Sequence, residues 1–89
     1  MRAIVTVVGK DRVGIIANVC TLLAQNDVNI LDISQTVLQD YFTMIMLVDT
    51  AGCIMAFDEL SNTLKTRGEK EALSIRIQRE DIFEAMHRI

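Results

Sequence analysis

Apolar positions along the chain follow two periods, and the switches between them mark out the elements. Residues 2–8, RAIVTVV, alternate: Ala3, Val5 and Val7 share one face, and Ile4, Thr6 and Val8 the other. Both faces are largely apolar, which predicts a central strand covered on both sides. Over 13–25 the period becomes helical. Ile16, Val19, Cys20 and Leu23 recur at i, i+3, i+4 and i+7, Ile15 and Leu22 widen the stripe, and Asn18, Thr21 and Gln25 form the wet face. Asn26 and Asp27 are expected to stop this helix, with Asn26 taking a left-handed cap. A second strand is predicted over 28–38, VNILDISQTVL. Its alternation changes phase, with Val28 and Ile30 on one face and Leu31, Ile33 and Val37 on the other. Such a change predicts a bulge, or a strand whose halves face different partners.

Gln39 and Asp40 fit a tight turn into a third strand over 41–49, YFTMIMLVD, apolar on both faces from Met44 to Val48 and therefore also central. A second helix is predicted over 53–67, with Cys53, Phe57, Leu60 and Leu64 on one face and Gly68 as its C-terminal cap. Residues 72–78 alternate cleanly, Leu73, Ile75 and Ile77 inward and Ser74, Arg76 and Gln78 outward, as in an edge strand protected by a charge. The tail, 80–89, reads as a short amphipathic helix through Ile82, Met86 and Ile89. The order β-α-β-β-α-β with right-handed crossovers predicts an α+β, ferredoxin-like sandwich. Two helices cover one face of a four-stranded antiparallel sheet, with strands one and three in the middle. The whole chain, 1–89, is read as one domain with its core in 1–79 and a helical extension over 80–89.

Composition sharpens this picture in three ways. A chain of 89 residues is 51% hydrophobic with a mean hydropathy of +0.30. Domains this small bury only roughly 60–65% of their unfolded surface, so some apolar area is expected to lie against another copy. A homo-oligomer, dimer or higher, whose second protomer covers the outer sheet face follows as the expectation. Net charge is −3 and the sequence pI is about 4.9, with no basic block, no Trp and 4% aromatics. Neither the electrostatic nor the stacking component of nucleic-acid binding is supplied. No signal-peptide h-region and no run of membrane-spanning length is present, and Cys20 and Cys53 read as free, buried thiols. A soluble cytoplasmic protein without membrane contact is expected.

Chemically active groups are sparse. His87 is the single histidine, so no Ser-His-Asp or Cys-His arrangement is supported, and ligands do not group as a metal site requires. No catalytic residue, metal or cofactor is predicted. Glu69, Glu71, Glu80 and Asp81 fall near element ends and read as solvated charge. Met44 and Met46 share a face of strand three, either filling the core or forming a sticky interface. The stretch GKDRVGI, 9–15, is the strongest local feature. Gly9 is expected to end the strand, and Asp11 to cap the helix by accepting from the amides of Val13 or Gly14. Gly14 then falls in the first helical turn, where glycine costs about 0.5–1 kcal/mol relative to alanine. Two explanations stand: close packing of the loop on a neighbouring strand, or access of a ligand to the unpaired first-turn amides. Those amides, at the positive end of the helix dipole, suit a carboxylate.

The run GKDRVGIIANVCTLLAQNDVNILDISQTV resembles the opening of an ACT domain. The matching positions are Asp11, Arg12, Val13, Gly14 and Ile15 in the first turn, Leu23 and Ala24 at the helix end, then Asn29, Ile30 and Asp32. Val13 stands where the family often has proline, which leaves the helix start less rigid. DVNILDISQTV and YFTMIMLVD are similar to the ACT modules of the glycine cleavage system transcriptional repressor and of formyltetrahydrofolate deformylase, and to small stand-alone ACT-domain proteins. The resemblance implies a regulatory, non-enzymatic protein that binds a small molecule, an amino acid first of all, at an interface between copies. It implies that Asp11, Val13, Gly14 and Ile15 line the loop side and that Arg12 reaches a second anionic group. Asn29 and Ile30 of the partner copy would line the strand side. The output would be a change in assembly or contact with a protein partner. The rival readings are a ligand-independent interaction module, an acylphosphatase-like enzyme using Arg12 and Asn29, and an RNA-binding sheet using Tyr41 and Phe42.

Overall fold

The computed structural model describes residues 1–10 and 13–82. Asp11, Arg12, His87 and the tail helix beyond residue 82 lie outside the described residues. The elements are β1 (Arg2–Lys10), α1 (Ile15–Gln25), β2 (Asn29–Leu38), β3 (Tyr41–Asp49), α2 (Phe57–Lys70) and β4 (Leu73–Arg79), and residues 80–82 open a helical turn. The strands form one antiparallel sheet in the order β2-β3-β1-β4, the ferredoxin-like arrangement, with β1 and β3 central as their two-sided apolarity predicts.

One apolar layer holds the fold together. Ala3, Val5 and Val7 of β1, Met44, Met46 and Val48 of β3 and Leu73, Ile75 and Ile77 of β4 are buried against both helices. Met44 and Met46 are fully buried and therefore fill the core rather than an interface. No described element covers the sheet's other face, where Val8 and Ile45 are exposed and Ile4, Thr6 and Leu47 half-buried.

Several local expectations change. Helix α1 starts at Ile15, not 13, and its buried stripe is Ile15, Val19, Leu22 and Leu23. Ile16 is 38% exposed and Cys20 half-buried, so the stripe is rotated by about one position from the expected one. The left-handed residue after α1 is Asp27 (φ 58°), while Asn26 sits at φ −102° and uses its side-chain amide to donate to Leu22 O at 2.8 Å. Gly9 does not end β1. It pairs with Phe42 and Leu73, and a Cβ there would come within 2.5 Å of the Leu73 Cδ2 atom. Helix α2 begins at Phe57, so Cys53 packs on the core from the preceding loop. Both cysteines are free but only half-buried.

Gly68 is not a cap. It lies inside α2, buried against β4, and a Cβ there would meet Leu73 O at 2.8 Å and the Ile75 Cγ1 atom at 2.9 Å. Missing side-chain volume lets α2 lie close on β4. The chain reverses instead at Ala72, in the left-handed region at φ 57°.

The phase change in β2 is a bulge. The register shifts between Ile30 and Asp32, with Leu31 as the extra residue. Its effect is to restore the phase: Ile30, Ile33 and Val37 pair with Val48, Met46 and Phe42, and so all lie on the helix side. The helices do not reach over this edge, however. Ile33 and Val37 remain 40% and 52% exposed, which leaves β2 bare on both faces beyond Ile30.

Candidate functional site

The turn between β1 and α1 holds the first half of the site expected from sequence. Gly14 is the N-cap of α1, at φ 91° and ψ −1°. This left-handed conformation costs an L-residue roughly 1–2 kcal/mol, which explains the glycine without any appeal to packing. Among the described residues a Cβ on Gly14 would find one atom, Asn18 Nδ2, 3.9 Å away, so no described strand packs on it. Beside the two explanations open from sequence, the structure supplies backbone geometry as a third.

The first intrahelical bond is Asn18 N–H to Gly14 O at 2.9 Å. The amides before it have no partner within the helix. Among the described residues no side chain caps them, and the first turn carries no acidic residue. Asp11, the expected cap, lies outside the described residues. Val13 is fully exposed beside Gly14, whereas the Ile15 side chain is buried in the core, so of Ile15 only the backbone remains for a ligand. Asn18 donates to Glu71 Oε1 at 3.4 Å, which brings a carboxylate to the rim of the turn.

The second half lies elsewhere. Asn29 opens β2 and is exposed, while Ile30 is half-buried and packs on the core. By register Asn29 stands beside Asp49 and, through it, Arg2, at the end where β1 begins. Gly14 follows the other end of β1. The length of α1 alone separates the two by about 16 Å, and the full separation is roughly 20 Å. One protomer therefore cannot close both halves on one small molecule.

Asp49 is a neighbour that sequence reasoning missed. Its carboxylate accepts from the Ala51 amide at 2.9 Å and from the N-terminal ammonium at 3.4 Å. The Ala51 hydrogen bond, first of all, holds the Asp49 carboxyl below its ordinary range, with the N-terminal ammonium and the Arg2 guanidinium acting in the same direction. A carboxylate beside Asn29 gives this half a preference for a ligand's ammonium over its carboxylate. The depressed acidity has a testable consequence. A group whose folded pKa lies below its unfolded value stabilises the fold above the unfolded pKa, and that stability is lost as pH falls through the folded pKa. Asp49→Asn is thus expected to lower Tm near pH 7, by an amount that shrinks as pH falls through the folded pKa of Asp49. A pH series of thermal melts checks this, and an equal loss at both ends would contradict it.

Among the described residues no three His, Cys, Asp or Glu side chains gather as a metal ion would need, and no helix is long and apolar enough to cross a membrane.

A sequence model of the ACT domain matches residues 2–78. The chain belongs to the ACT domain family. ACT domains are typically regulatory, ligand-binding units. A UPF0237 protein of Clostridium acetobutylicum is 53% identical over 89 residues, all of both chains. Among solved structures, an ACT domain protein from Streptococcus pneumoniae superposes with a TM-score of 0.84 at 46% identity, covering 98% of each chain. A putative glycine cleavage system transcriptional repressor matches 86% of this chain and 44% of its own, at a TM-score of 0.73 and 28% identity. A formyltetrahydrofolate deformylase from Pseudomonas syringae pv. tomato matches 88% of this chain and 27% of its own, at a TM-score of 0.78. With 23% identity it shares the ACT fold alone. The resemblance read from the first turn and from β2 and β3 therefore holds, both for the family and for the relatives it pointed to.

Proposed function

We propose that this ACT protein is a cytoplasmic, non-catalytic regulator that binds an amino acid between two copies of itself. The observation that carries the reading is Gly14: a left-handed N-cap at which, among the described residues, an added Cβ would meet nothing closer than Asn18 Nδ2 at 3.9 Å and no side chain caps the first-turn amides of α1. The ligand's carboxylate takes the amides of Gly14 and Ile15, where the helix dipole is positive. Its ammonium lies against the partner's Asn29 and the partner's Asp49, with the partner's Ile30 close behind. Arg12 and Asp11, flanking the turn in sequence, select the ligand's side chain.

The β2 edge supports the pairing this requires. It is an unpaired strand edge with exposed Ile33 and Val37. Antiparallel pairing of two copies about its midpoint sets Ile33 against Ser34 and Asp32 against Gln35, with no like charges opposed. The same two-fold turns one copy end for end and brings the partner's Asn29 to the end of the sheet where Gly14 lies. Ligand binding at that seam changes the pairing, and a protein partner reads the change. Two free, half-buried thiols suit a reducing compartment.

A thermal-shift panel of the amino acids tests the proposal. A one-site ligand at about 100 times its Kd stabilises the folded state by about 2.7 kcal/mol. At least one amino acid is expected to raise Tm in the wild type and to fail in a Gly14→Val chain. Millimolar concentrations that leave every melt unchanged would sink the amino-acid reading and leave a ligand-independent interaction module.

A further inference from the structure

The second sheet edge differs from the first in charge and shape. Among the described residues β4 pairs only with β1, so alternate residues of Leu73–Arg79 turn their N–H and C=O groups outward. Beside this edge lies a groove of about 330 Å³ between β4 and α2. Its floor is apolar, from the buried Leu73 and Ile75, and its walls are Lys65, Glu69, Ser74 and Arg76. Arg67 and Lys70 line a neighbouring hollow on α2. Among the described residues, none of Lys65, Arg67, Lys70 and Arg76 forms an ion pair, whereas Arg2 and Arg79 are held by Glu80 and Asp81. In a chain of net charge −3 this is a local concentration of uncompensated positive charge, with Glu69 as the opposing group in the groove.

Arg76 is the middle residue of the seven in β4, so pairing of two copies in full register would set it against its own copy. Like charges directly opposite one another destabilise a strand pair, which disfavours that pairing. An outward-facing backbone edge beside an apolar floor and cations without ion-pair partners among the described residues suits an acidic strand from another protein.

We propose that β4 is a docking edge for an extended, acidic segment of a partner protein, added as a fifth strand. The partner's backbone pairs with β4, a carboxylate opposite Arg76 on the open sheet face fixes the register, and the apolar side chains that alternate with it lie over the groove floor of Leu73 and Ile75. This edge is distinct from the seam between copies and does not depend on the effector site. A partner strand on β4 stays compatible with a dimer joined through β2.

Two blocked peptides of alternating Val and Glu, or Val and Lys, about eight residues long to match a strand, test it against the 15N-labelled full chain. The Val-Glu peptide is expected to shift the amides of residues 73–79, Lys65 and Glu69, and to bind at least about tenfold more tightly than the Val-Lys peptide. Arg76→Glu is expected to reverse that preference while keeping native peak dispersion, and Lys65→Glu, on the opposite face of the sheet, to leave it unchanged. Absence of Val-Glu binding, no difference between the peptides, or shifts centred away from β4 would overturn the proposal. So would slow hydrogen exchange of every β4 amide in the free protein, since the edge would then already be covered by a second copy or by the chain's own tail.

Discussion

Leu64→Ala is expected to destabilise the fold by about 2–5 kcal/mol. Leu64 is fully buried where α2 meets the sheet, in the single cluster that joins both helices to β1, β3 and β4. Truncation loses the transfer energy of the removed methyl groups and leaves a cavity that the flanking strands cannot fill without breaking register. For a domain of this size each kcal/mol corresponds to about 4–8 °C, so Tm should fall by on the order of 10–30 °C. Circular-dichroism melts measure this directly. A loss under about 1 kcal/mol would place Leu64 outside the core, and with it the seating of α2.

Gly68→Val is expected to have the next largest effect, about 1–3 kcal/mol from overpacking with a further few tenths from valine's lower helix propensity. The decisive contact is with Leu73 O at 2.8 Å, a backbone atom that cannot rotate aside. Gly9 makes a useful contrast, because the nearest atom there is the tip of the Leu73 side chain, which can move. Gly68→Asn separates the helix-interior role from a capping one. A left-handed cap would accept asparagine readily. A glycine pressed against β4 will not, and the melt of Gly68→Asn should fall with that of Gly68→Val. Retention of wild-type Tm by the asparagine variant would restore the capping role.

These two positions show why some of the molecule was legible in the sequence. The strand pattern was unambiguous wherever alternation was strict, as in Leu73, Ile75 and Ile77, and the central pair of the sheet followed from the two-sided apolarity of β1 and β3. The phase slip around Leu31 is compatible with a bulge or with two half-strands facing different partners, and the register shift between Ile30 and Asp32 makes it a bulge. Helix starts were less legible. Cys53 and Met55 carry apolar side chains that pack on the core from a loop, so periodicity alone extended α2 backwards past Phe57. Gly68 misled because glycine after a helical run reads as a stop, and only the distance to β4 shows that it is a contact.

The candidate site divides in the same way. The first turn identified Gly14 through its residue types, but its positive φ is a property of the backbone that no pattern states. Asp49 was invisible because its position beside Asn29 arises from strand register across 20 residues of sequence. Sequence reasoning set Ile15 among the ligand-binding residues, whereas burial removes its side chain from any ligand.

The central claim, that one site is shared between the first turn of one copy and β2 of another, is tested most directly by mixing two silent variants. Gly14→Val removes the loop half and Asn29→Ala the strand half, so each homodimer should lose binding of the amino acid found in the thermal-shift panel. A mixed dimer places the intact loop of one chain against the intact β2 of the other and regains one site of two. After random exchange, an equal mixture should therefore recover about a quarter of wild-type binding capacity by equilibrium dialysis. A mixture that stays silent, or either variant alone binding as the wild type does, would contradict a site built between copies.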